Sequence, residues 1–103
     1  MYLVTLTRSG PEWNPTKPAE QQARWSEHAS YMDNLVAQGI VVLGGPLGDE
    51  HRVVLAVDAD DAATVRAIVA LDPWSDSHLQ LDAVEDWTIR LDAHRRSGSK
   101  GAS

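Results

Sequence analysis

Hydrophobic and polar positions along the chain change period several times, and those changes mark out the elements. Tyr2 to Thr7 is rich in β-formers and predicts an opening strand. Ser9-Gly10-Pro11 breaks it, and Pro11, Pro15 and Pro18 stiffen a loop that carries Trp13. Over residues 18–38 the period becomes helical. At about 100° per residue, Trp25, Ala29, Met32 and Val36 share one sector, with Leu35 and His28 along its edge. Thr16 is the expected N-cap, Pro18 fits a first helical turn, and Gly39 is the expected C-terminal stop. Two strands should follow, over 40–47 and 52–58, joined by the turn Gly48-Asp49-Glu50-His51. Asp60 or Asp61 caps a second helix running to about Leu71. Its apolar positions Val65, Ile68 and Val69 are spaced i, i+3, i+4, and the i+7 position is Asp72. From Leu79 to Leu91 apolar residues hold the odd positions, which predicts a long last strand. Val84 and Glu85 invert the alternation there and suggest a bulge.

The order β-α-β-β-α-β has a natural solution, two helices on one face of a four-stranded antiparallel sheet. The expected class is therefore α+β, of ferredoxin-like βαββαβ topology. Val41-Val42-Leu43 and Val53-Val54-Leu55 present apolar side chains to both faces. The face away from the helices needs a cover, and a second copy joined through the sheet, a homodimer, is expected to supply it.

With 103 residues there is room for one core. One domain is expected over residues 1–92, and a flexible basic tail over 93–103. Net charge is −6, but the tail holds Arg95, Arg96 and Lys100 and no acid. Six bases and fifteen acids remain before it, a charge of −9. Such a body repels phosphate backbones, so nucleic-acid binding is not expected. No apolar run approaches the roughly 20 residues that span a bilayer, and the N-terminus enters a strand without a basic leader. A cytoplasmic protein with no membrane partner is the expectation.

Cysteine is absent, which removes disulfides, thiolate nucleophiles and Cys-based zinc sites. His28, His51, His78 and His94 share no metal-ligand spacing on one element, so no metal is expected. No glycine-rich phosphate loop and no Gly-x-Ser-x-Gly elbow occur. Two residues remain oddly placed. His28 lies beside an apolar stripe, where a buried imidazole needs a partner. It is either a packing residue bonded to backbone or water, or a functional one. Asp72 points toward the core from an apolar face, where an unpaired charge is costly. An Asp before Pro is also a favoured cap of a following turn, which leaves its second oxygen free for an imidazole. Gly44-Gly45-Pro46 marks either a kink or a place where a ligand comes close.

The segment Glu27-His28-Ala29-Ser30-Tyr31-Met32, then Gly39 and Gly44-Gly45-Pro46-Leu47, then Asp72-Pro73-Trp74, resembles the YCII-related domain family in order and spacing, across residues 1–92. The resemblance implies a dimeric α+β barrel with a His–Asp pair in each subunit's pocket, matched here by His28 and Asp72. Some members resemble enzymes acting on small ring compounds, including elimination of halide. Trp74 departs from the Tyr or Phe commoner at its position, which reshapes the expected pocket. On this reading the chain is a cofactor-independent lyase or isomerase acting on a small cyclic or aromatic substrate. His28 would be the general base and Asp72 its orienter, with Trp25, Met32, Gly45, Pro46 and Trp74 around the substrate. A carboxylate on one ring nitrogen fixes the tautomer and leaves the other nitrogen to take a proton, a role worth about 10²–10⁴-fold. The alternative is a small-molecule-binding or accessory dimer without chemistry, since this fold hosts unrelated functions.

Overall fold

The computed structural model describes residues 1–93. The tail expected over 93–103 lies, from residue 94 onward, outside the described residues. Seven elements follow one another: strand β1 (Tyr2–Arg8), a short 3-10 turn (Ala19–Gln21), helix α1 (Trp25–Ala37), strands β2 (Val41–Pro46) and β3 (Arg52–Val57), helix α2 (Ala62–Ala70) and strand β4 (Leu79–Asp86). The strands form one antiparallel sheet in the order β2-β3-β1-β4. This small α+β arrangement is compatible with a ferredoxin-like fold.

Register sets which side chains face the helices. Val4 lies opposite Leu55 and Leu6 opposite Val53, so even positions of β1 and odd positions of β3 share one face. With Leu35, Val41, Val57 and Val65 they form the buried core. Gly39 ends α1 with a left-handed φ of 76°. Its N–H donates to the Val36 carbonyl and that of Ile40 to the Leu35 carbonyl, the double bond of a Schellman stop. Asp61 caps α2, accepting from the Thr64 N–H at 2.8 Å.

Three expectations need correction. Helix α1 begins at Trp25, not at Pro18, because local hydrogen bonds hold the preceding loop in another conformation. Thr16 caps nothing: its own N–H and hydroxyl donate to Asn14 Oδ1. The Gln22 amide accepts from the Asn14 N–H and donates to the Asn14 and Lys17 carbonyls. The chain then turns through Arg24 in left-handed conformation (φ 62°) before the helix starts. The second correction concerns β4, which stops at Asp86. Its last cross-strand bond runs from the Trp87 N–H to the Met1 carbonyl, and Ile89 and Leu91 lie beyond the strand. The third is the bulge, which falls at Asp82. Thr5 pairs with Ala83 and Leu6 with Leu81, and Asp82, left over between them, accepts from the Thr7 hydroxyl.

The sheet face away from the helices carries exposed Val42, Leu43 and Trp87. Among the described residues no helix is long and apolar enough to cross a membrane.

Candidate active site

Between the helices and the sheet lies a cavity of about 250 Å³. Two glycines on its wall, at the end of β2, differ in their surroundings. Gly45 pairs with Val54, so a methyl group on it would point to the sheet face away from the helices and meet nothing within 4 Å. One on Gly44, paired with Leu55, would lie 2.5 Å from Leu55 Cδ2 and 2.9 Å from the Val54 carbonyl oxygen. Gly44 therefore lets β2 approach β3 on the cavity side. Trp25, His28, Met32, Gly45, Pro46, Asp72 and Trp74 all line this cavity.

Each polar member is fixed by its element. His28 stands near the start of α1, its N–H bonded to the Arg24 carbonyl. Asp72 follows α2 directly, its N–H bonded to the Val69 carbonyl. The end of one helix thus meets the beginning of the other. His28 Nδ1 lies 2.9 and 2.8 Å from the two carboxylate oxygens of Asp72, and the carboxylate is almost fully buried. Asp72 Oδ1 also accepts from the Trp74 N–H at 2.9 Å. Capping and pairing are not alternatives here; one side chain does both. With the carboxylate accepting from Nδ1–H, Nε2 is left with its lone pair. Nε2 has no partner among the described residues and is not sealed by packing.

Trp74 is wholly buried, and its Nε1–H donates to the Ala23 carbonyl at 2.9 Å. The His28 ring stacks on its cavity face, with centroids 4.2 Å apart and planes 5° apart. His78 stacks on the opposite face at 4.7 Å and 16°. His78 Nδ1 shares a 2.8 Å hydrogen bond with Ser77 Oγ, which also accepts from Arg24 Nη2 at 2.7 Å. Burial pushes the His78 pKa below its ordinary value, reinforced by Arg24 and His28 and opposed by Glu12. Its Nε2 is buried with no hydrogen-bond partner.

Two polar cavity residues, Tyr31 and Arg8, are not among the site candidates read from the sequence. Tyr31 donates its hydroxyl to the Ile68 carbonyl at 2.6 Å; burial first, and the Asp72 charge second, push its pKa up and keep it a donor. Arg8 lines the cavity from the end of β1. Its signal was present: Val4 and Leu6 point inward, and Arg8 shares their parity. Among the described residues no group of three or more His, Asp or Glu is placed to hold a metal ion.

The fold is that of a small α+β protein, and its cavity wall carries a histidine–carboxylate pair. No protein-family model matches the chain, and no curated protein matches it.

Proposed function

We propose that the chain is a cofactor-independent lyase or isomerase of the YCII-related type, with His28 as general base and Asp72 as its orienter. The observation that carries this reading is the 2.8 Å His28–Asp72 contact on the wall of an apolar cavity large enough for one ring. About 150 Å³ suffices for benzene. With Nδ1–H held by the carboxylate, Nε2 takes a proton from a carbon next to a carbonyl, and the C–H electron pair passes into an enolate. Isomerisation returns that proton to another carbon; elimination uses the electron pair to expel a neighbouring halide while the imidazolium keeps the proton. Trp25 and Met32 form apolar walls, Trp74 backs the His28 ring, and Gly45 and Pro46 shape the floor.

The working unit in this proposal is a cytoplasmic homodimer with ferredoxin-like subunits, the two sheets packed face to face as a dimeric α+β barrel. Exposed Val42, Leu43 and Trp87 support it, since a second copy would remove them from water. The test is a panel of single-ring enolisable lactones and β-halogenated cyclic ketones, followed by proton exchange in D₂O and by halide release. Turnover by the wild-type chain and its loss in His28→Gln, with the dimer intact, is the expected result. Turnover that survives the substitution sinks the proposal. The cavity's largely apolar lining favours one other reading, a binding module, for which a tightly held compound recovered unchanged is the mark.

A further inference from the structure

Arg8 is a charge in an unusual position. It follows Val4 and Leu6 on the inward parity of β1, and its side chain is only 12% exposed. Nη1 donates to the Glu50 carbonyl at 3.1 Å and lies 3.3 Å from Glu50 Oε1 in the β2–β3 turn. That carboxylate is 73% exposed, so the ion pair is solvent-screened and neutralises little. The carbonyl orients the guanidinium without adding a countercharge. Nε and Nη2 have no hydrogen-bond partner among the described residues.

The other polar groups on the cavity wall are already engaged. Tyr31 donates to Ile68, and Asp72 accepts from His28 and from the Trp74 N–H. Two groups keep hydrogen-bonding capacity for a ligand: His28 Nε2, an acceptor, and the Arg8 fork, a donor with a full positive charge. The rest of the lining is apolar. A cation kept largely from water beside an apolar cavity is costly unless an anion completes it. The planar fork matches a carboxylate with two parallel N–H···O bonds.

We infer that the cavity takes a carboxylate-bearing single-ring compound, its carboxylate on Arg8 and its ring against Trp25, with the reacting carbon left to His28. This rests on the cavity being the ligand site of the proposed function, and it names the substrate class. Arg8 is a binding and positioning group in it and moves no proton. A volume of about 250 Å³ exceeds the roughly 150 Å³ that holds benzene by enough for a carboxylate and one further substituent.

The test uses the full chain with two probes of equal shape and different charge, benzoate and benzamide. Binding is followed by calorimetry and by the fluorescence of the cavity tryptophans. Wild-type protein should bind benzoate at least about tenfold more tightly than benzamide. Arg8→Gln should erase that preference while leaving benzamide binding and the thermal midpoint in place. Arg8→Lys should keep part of the preference, and His28→Gln all of it. Because Arg8→Gln could unfold the chain, a second measurement stands apart from it. The Arg8 Nε–Hε resonance of wild-type protein should shift on adding benzoate and stay still on adding benzamide. Equal affinity for both probes, or an Arg8 resonance indifferent to benzoate, overturns the inference and leaves the cavity reading standing. If neither probe binds, the cavity reading and this inference fall together. Arg8-dependent benzoate binding in a chain that turns over no compound supports the inference and removes the enzyme proposal alone.

Discussion

His28 and His78 lie on opposite faces of the same indole, both nearly parallel to it, and they have little else in common. On the cavity side the imidazole is held by a carboxylate, and its second nitrogen is open to a visitor. On the packed side the imidazole is held by a hydroxyl, is completely buried, and its second nitrogen meets no polar group at all. Stacking on Trp74 is common to both and so cannot be what distinguishes them. It supplies rigidity; polar partner and access decide what the ring can do. One histidine has the partner and the access that the proposed proton transfer needs, and the other fills space.

The strongest way to break that comparison is to remove what the two sides share. Trp74→Ala deletes a wholly buried ring, its bond to the Ala23 carbonyl and both stacks. Loss of a core aromatic costs about 3–5 kcal/mol, against about 5–15 kcal/mol for a whole domain. Urea denaturation of the variant should show a stability loss in that range, and the proton-transfer activity proposed for the site should vanish with it. A variant within 1 kcal/mol of wild type (on the order of an ordinary surface change) would mean the stack contributes no rigidity.

A second pair of changes sharpens the difference between the two polar partners. Asp72→Asn keeps an oxygen for the Trp74 N–H but weakens control of the His28 tautomer, so turnover should fall at least about 10²-fold. Ser77→Ala unpartners His78 Nδ1 and leaves Arg24 Nη2 only its 3.8 Å ion pair with Glu12, which costs about 1–3 kcal/mol of stability. It should leave turnover per folded molecule unchanged. Measured kcat beside urea midpoints separates the two; equal loss of kcat in both variants contradicts the assignment of roles.

How much of this can be read along the chain depends on how local each cause is. The β-rich composition of β1 and β3, the Gly39 stop and a cap at Asp60 or Asp61 are decided within a few residues, and so they were legible. The end of β4 was not, because the alternation continues through Ile89 and Leu91 past the last bond to β1, and pairing depends on a distant strand that periodicity does not report. At the site, Asp72 stands out twice over, by helical spacing and by preceding Pro73. Arg8 was visible only through its parity with Val4 and Leu6, a clue that depends on knowing which face of β1 is buried. The sandwich around Trp74 is set by the turn over residues 72–78, whose shape no periodicity encodes. His78, placed simply at the start of a strand, gave no sign of it.

Two glycines differ sharply in the room around them. Gly10 has φ 135°, and a methyl group there would lie 2.6 Å from the Ser77 carbonyl oxygen, on the packed side. Gly10→Ala should cost about 1–3 kcal/mol through overpacking and backbone strain. Gly45→Ala points its methyl with Val54 to the outer sheet face, meets open space, and should leave both stability and ligand affinity nearly as they are. Thermal melts with and without benzoate test both. A Gly45 variant as destabilised as the Gly10 variant would contradict that steric contrast.

The smallest effect distinguishes the two imidazoles by their protons. Burial, with Arg24 and His28 in support and Glu12 in opposition, lowers the His78 pKa below its ordinary 6.5. Below pH 6.5 the unfolded chain therefore binds a proton at this residue that the folded chain refuses. The stability derivative with pH is positive when the unfolded state holds more protons. The His78 contribution is thus complete above pH 6.5 and is lost as the pH falls through the window between 6.5 and the lower folded value. Asp49 and Asp61, whose pKa values are lowered by backbone N–H groups, also lose their contributions on acidification. Their windows start below the ordinary carboxylate value of 3.8, so they do not overlap the upper part of the His78 range. Urea midpoints taken between pH 7.5 and pH 5 (roughly spanning the ordinary histidine range) should fall with pH in the wild-type chain. His78→Gln should flatten that slope whatever it does to the absolute stability, because the comparison is between slopes. An unchanged slope in His78→Gln would place a protonated, partnered imidazole behind Trp74, and the contrast between the two faces of the indole would be lost.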